Sequence, residues 1–298
     1  MTDSHEPREG TQVAAVLSTL FGAQKIALTD ADKRIATVAN DWQVVGPNAH
    51  IAELHATLNG VQEGRAIEIF GRAASAGEQL GLALTLRLDA RRWMAKPNDT
   101  EVHLPVRALT EMQGYYTLSA AAGLANVILR IGLLNSDIRA RIEERWKNNV
   151  GFHPFSSDRN DWIQFSEKAF TTVRYAVDAV DAPELQASAE ALLQLRKDQR
   201  WEALDLRRAL DYHQWRPQSV VGGVAAESLW SALAGGGRTA IFPPRDNTLP
   251  DLNDMCAESD AALELLAATA ADVLMRFPAA LREMGLEIYV NNEGPDPS

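Results

Sequence analysis

Residues 62–94, QEGRAIEIFGRAASAGEQLGLALTLRLDARRWM, decide the fold class. Ile67, Phe70, Ala74, Leu80, Leu84 and Leu88 recur near the helical period, with polar and charged residues between them. A half-buried strand would alternate at every second residue and does not give this pattern. The spacing predicts one long helix. Gly64, Gly71, Gly77 and Gly81 predict a kink or break within it, because glycine costs about 1 kcal/mol against alanine in a helix interior.

The same period extends outward in both directions. Thr29 and Asp32 form a capping-box signature for a helix over residues 31–43, closed by a Gly46-Pro47 turn, and a second helix follows over 49–58. Downstream, Pro105 suits the first turn of a long helix to Leu134, and Ser119–Ala125 gives it a small-residue stretch that another helix can approach. Ser136 is placed to cap a helix over 137–148, and the loop GFHPFSSDRN (151–160) leads to a helix over 161–180. Asp181 and Pro183 open a helical run to about Tyr212 with a bend near Lys197-Asp198. A Gly/Pro-rich connection covers 234–254, and a last helix over 259–284 is broken or kinked at Pro278. β-branched runs are short and no repeat is present, so an all-α multi-helix bundle is expected. The sequence Lys96-Pro-Asn-Asp-Thr100 marks the clearest boundary. It separates an N-terminal helical portion (11–96) from a larger helical portion (101–290), with frayed tails at 1–10 and 291–298.

Composition bounds the function. With 298 residues, 46% of them hydrophobic, the chain can bury a core without disulfides or a structural metal. Cys256 is the single cysteine and has no bridging partner, which fits a reducing, cytoplasmic setting. No cleavable leader and no membrane-spanning apolar run are read, so no membrane partner is expected. A net charge of −11 argues against general coating of nucleic acid. Locally the sign inverts. Between 196 and 216 six basic residues (Arg196, Lys197, Arg200, Arg207, Arg208, Arg216) face four acidic ones (Asp198, Glu202, Asp205, Asp211).

That basic segment contains WEALDLRRALDYHQWRPQS (201–219), where a predicted helix carries two arginines, reaches a histidine and stops before Pro217. RNA transesterification needs a group that takes the 2′-hydroxyl proton or protonates the leaving oxygen, and an imidazole titrates near neutral pH. It also needs cationic donors for the charge that grows on phosphorus, which an arginine fork supplies. Arg207, Arg208 and His213 combine these roles without a metal. On a straight helix His213 lies about 140° from Arg208 and about 120° from Arg207. They converge only where the helix ends or bends between them, or where a second copy completes the site. Trp215 can stack on a base and Arg216 adds a further cation.

An arginine, a gap of four to six residues and a histidine at a helix end, in an all-helical protein, resembles the HEPN superfamily over about residues 104–218. Its members are commonly dimeric, metal-independent ribonucleases of toxin–antitoxin, abortive-infection and CRISPR systems, and some are non-catalytic. The resemblance implies Arg207 or Arg208 as the phosphate-stabilising residue and His213 as the acid/base group. It also implies RNA as substrate, a homodimer or partner protein, and no cofactor. The polar residue, often Asn, that members carry after the arginine is Ala209 counted from Arg208 and Arg208 counted from Arg207. The competing reading makes the same residues surface helix bridges, Arg207 with Asp211 and Arg208 with Asp205, in a non-catalytic adaptor or regulatory subunit. His50 and His55 are five apart and face different sides of their helix, so no metal site is expected there. Gly235-Gly236-Gly237-Arg238 lacks the residues of a phosphate-cradling loop.

Overall fold

A computed structural model describes residues 27–58, 65–95, 100–146, 165–213 and 252–286. Among these every regular element is helical: α1 (Asp30–Val45), α2 (Ala49–Leu58), α3 (Arg65–Met94), α4 (Thr100–Gly132), α5 (Ser136–Trp146), α6 (Glu167–Val177), α7 (Pro183–Lys197), α8 (Gln199–His213) and α9 (Leu252–Glu283). The all-α expectation holds. No single helix among the described residues is long and apolar enough to cross a membrane.

The capping box at the start of α1 is formed in full. The Thr29 side chain accepts from the Asp32 backbone, and the Asp32 side chain accepts from the Thr29 backbone. Other boundaries differ from the sequence reading. α3 runs unbroken through its glycines, and α9 starts at Leu252 and continues through Pro278. α4 begins at Thr100, which places Pro105 beyond the first turn, where its missing N–H leaves the Glu101 carbonyl without an intrahelical donor. Asn135, rather than Ser136, caps α5, because its Oδ1 reaches the backbone N–H groups of Asp137 and Ile138 at 2.9 and 3.2 Å. α6 starts at Glu167 behind a Ser166 cap. The expected bend near Asp198 is a full break, where extended backbone separates α7 from α8.

α3 and α4 form the central antiparallel pair, with Gly123 against Ala76 near the middle and Arg130 against Glu68 at one end. The small-residue stretch of α4 thus does what its composition suggests. α1 lies on the other side of α3, and α9 packs on α1, α3, α4, α7 and α8. Trp42 of α1 is buried, donates from Nε1 to the Ala270 carbonyl of α9 at 3.1 Å and meets Phe277 edge-on at 5.5 Å. Phe70 of α3 meets Phe277 at 5.6 Å. One apolar core therefore runs from Ile35 to Leu286, and helices on both sides of residues 96–99 contribute to it. At its far end α9 closes α7. Ala182 has no side chain to cap that helix, and the Glu283 carboxylate accepts from the Glu184 and Leu185 backbone N–H groups at 2.9 and 3.0 Å instead.

Gly77 shows why α3 tolerates glycine. A Cβ there would lie 2.6 Å from the Ala39 carbonyl and 2.7 Å from Cβ of Trp42, so the missing side chain sets the α1–α3 approach. Gly71 has nothing within 4 Å of a built Cβ. Gly77→Ala should destabilise the protein by about 1–3 kcal/mol in chemical denaturation. Gly71→Ala should stabilise it by about 0.5–1 kcal/mol through helix propensity alone. Similar shifts in the two variants would contradict this packing.

Candidate functional site

α8 carries the sequence-predicted arginines, and two contacts fix its position. Trp201 and Leu204 are buried, and Trp201 meets Phe165 edge-on at 5.6 Å. At its start Asp198 Oδ1 accepts from the Arg200 backbone at 2.9 Å, a side-chain cap. The same carboxylate takes the Arg200 guanidinium, and these hydrogen bonds hold it below the usual aspartate range.

The local excess of positive charge is largely matched in space. Arg196 of α7 bonds Asp205 of α8 at 2.8 Å, Arg200 bonds Asp198, and Lys197 lies 3.9 Å from Glu167. Asp205 is therefore not the partner of Arg208. Arg207 points off the flank of α8 toward α9, where its Nε and Nη2 both donate to Glu258 Oε2, the Nε bond measuring 3.0 Å. Arg208 differs: it is exposed and makes no hydrogen bond or ion pair among the described residues.

α8 is described as far as His213 and is continuous from Arg208 to it. A helix end or bend between the two, one route to convergence, is therefore absent. Five residues of regular helix place them about 7.5 Å apart along the axis and about 140° apart around it. The side chains of Asp211 and His213, and all of Trp215 and Arg216, lie outside the described residues, as does the connection 214–251.

Beside α8 lies a second polar constellation that sequence reasoning missed. Asp32 of α1 is fully buried and faces two arginines of α3, with Arg87 Nε at 3.2 Å from Oδ1 and Arg91 Nη1 at 2.9 Å from Oδ2. Arg87 and Arg91 also reach Asp260 of α9 at 3.4 and 3.1 Å, and Arg87 bonds Glu264. Gln113 of α4 donates to Asp260 Oδ1 at 2.9 Å. Next to it, Thr110 of α4 and the Cys256 thiol share a hydrogen bond at 3.2 Å. The sequence did hold a signal: Arg87 and Arg91 sit on the stripe of α3 that also carries Leu84 and Leu88, where arginine is out of place unless it meets buried carboxylates.

Burial pushes the Asp32 carboxyl up, but hydrogen bonds from Thr29 and the charges of Arg87 and Arg91 outweigh it and leave the group below the ordinary aspartate range. Burial raises the Cys256 thiol, opposed by the Thr110 bond and supported by Asp260. A thiol shifted upward stays protonated near neutrality and is a poor nucleophile. The constellation thus ties four helices together, and no group of metal-ligating side chains occurs among the described residues.

Comparison of the chain with protein-family models, with curated proteins and with solved structures finds no match.

Asp32→Ala leaves Arg87 buried beside an empty site and should cost about 3–5 kcal/mol. Because the folded carboxyl is depressed, its contribution is complete above pH ~4 and disappears as pH falls through the lower folded value. Wild-type stability should therefore decline more steeply on acidification below pH ~4 than that of Asp32→Asn. Parallel acid-denaturation curves would argue against this charge network.

Proposed function

We propose that this is a HEPN-like, metal-independent endoribonuclease in which Arg208 and His213 are the reacting pair. The observation that carries the reading is Arg208, an exposed guanidinium with no partner among the described residues, on the helix that carries His213. Its neighbour Arg207 is already engaged by Glu258, so the four-residue gap from Arg208 is the spacing favoured.

In this reading the His213 imidazole takes the proton of an RNA 2′-hydroxyl, whose oxygen attacks the adjacent phosphorus. The bond to the 5′-oxygen breaks, that oxygen takes a proton, and a 2′,3′-cyclic phosphate remains. Arg208 donates to the non-bridging oxygens as their charge grows. Since α8 continues straight through both residues, a site that uses them together needs an Arg208 and a His213 from different copies, which favours a homodimer. A toxin or antiphage-defence system is the setting we infer from the family resemblance.

A second reading, a helical adaptor, draws on exposed apolar residues. Leu104, Met112 and Tyr115 share one outer face of α4, and Ile51, Leu54 and Leu58 share another on α2. Such faces suit protein partners and are not needed for cleavage.

Incubation of purified protein with RNA in EDTA separates the two. His213→Ala should reduce cleavage by about 10²–10⁴-fold and Arg208→Ala by about 10²-fold, with thermal unfolding unchanged. Cleavage that survives His213→Ala would eliminate this mechanism. Absence of cleavage by the wild type, with or without a second protein, would favour the adaptor.

A further inference from the structure

The contact between Arg207 and Glu258 has the geometry of a displaceable substitute. Two nitrogens of the guanidinium converge on one carboxylate oxygen, the arrangement they would offer to a phosphate oxygen. The pair joins helices far apart in sequence, α8 and α9, and is partly open to water, with 40% of the Glu258 side chain and 18% of the Arg207 side chain exposed. A partly exposed pair is screened by solvent, and an incoming phosphate can compete for the arginine from the Glu258 side. Two described carboxylates of the same helices are engaged by other groups: Asp260 holds Arg91 and Gln113, and Asp205 holds Arg196. Glu258 is bonded to Arg207 alone among the described residues. Arg207 and Arg208 lie about 1.5 Å apart along α8 and about 100° apart around it, so a strand that wraps the helix at this level meets both.

We propose that Glu258 is a built-in competitor of the RNA phosphate at Arg207, occupying the guanidinium until a substrate strand displaces it. The proposal rests on the ribonuclease reading of α8 and adds a determinant of affinity to it. Glu258 thus sets a threshold: strands that also engage Arg208 displace it, and isolated phosphates do not. The contact is electrostatic, and no bond to oxygen or phosphorus changes.

The test is equilibrium binding of a 2′-O-methylated single-stranded oligonucleotide, which lacks the nucleophile and is not cleaved, to full-length protein in EDTA over a salt series. Glu258→Gln should tighten binding about fivefold at low salt, the Boltzmann factor of a partly exposed ion pair. It should also steepen the slope of log K against log salt, because added salt weakens the competing ion pair of the wild type and the variant has no such pair to weaken. The double variant Arg207→Ala with Glu258→Gln should bind as Arg207→Ala alone. Tightening that persists without Arg207 would reduce the effect to removal of a nearby negative charge and overturn the proposal. So would unchanged affinity in Glu258→Gln while Arg208→Ala weakens binding. If Arg208→Ala binds as the wild type does, or no variant binds at all, the ribonuclease reading itself fails and the proposal fails with it. Thermal unfolding of Glu258→Gln within a few degrees of the wild type shows that the comparison is between folded proteins.

Discussion

A single carboxylate, Asp32, is the constraint around which the helices are arranged. It is buried without any water-facing edge, so the fold can hold it only by supplying donors from several directions at once. Thr29 supplies them from the start of its own helix and Arg91 from α3, while Arg87 adds its positive charge at 3.2 Å. Those arginines need more negative charge than Asp32 provides, and Asp260 and Glu264 of α9 provide it. The demand for charge balance thus passes from α1 to α3 to α9 and fixes the rotation of each about its axis. The apolar contacts of Trp42 and Phe277 farther along the same helices drive burial, but greasy surfaces tolerate sliding. The ionic cluster specifies the register; the aromatic cluster supplies most of the attraction.

How much of this was legible in the sequence depends on whether the cause is local. The capping box at Thr29 and Asp32 was readable because both partners lie within one turn. Near Asp198 a bend was readable, though not the full break that separates α7 from α8. The continuity of α3 was not, since Gly77 is favourable there only because Trp42 and Ala39 come from another helix. Likewise Pro278 suggests a break or kink, yet α9, buried along its length by several partners, runs through it without a break. Ser136 and Asn135 both cap helices well in general, and only side-chain geometry chooses between them.

The functional helix divides the same way. Arginines and a histidine at suggestive spacing were visible, as was a local excess of positive charge. Which guanidinium lacks a partner among the described residues was not, because the partners of Arg196 and Arg207 lie across helix interfaces, on α8 and on α9. Pairing by sequence distance assigned Asp205 to Arg208, whereas the turn at Asp198 folds Arg196 back onto it. Long flexible side chains choose among neighbours in space, and one helix seen alone does not reveal them.

The hydrogen bond from Trp42 to Ala270 joins residues 228 positions apart, and the edge-on contacts of Phe277 with Trp42 and Phe70 close a similar span. On a ribosome that makes the chain from its first residue, α1 and α3 emerge early with their largest side chains and the Asp32 cluster only half matched. They must wait until residues 252–286 have been synthesised and released before the shared core can close. Nascent chains of this protein therefore present apolar surface and unbalanced charge for most of translation, and holding chaperones have their longest window on the N-terminal helices.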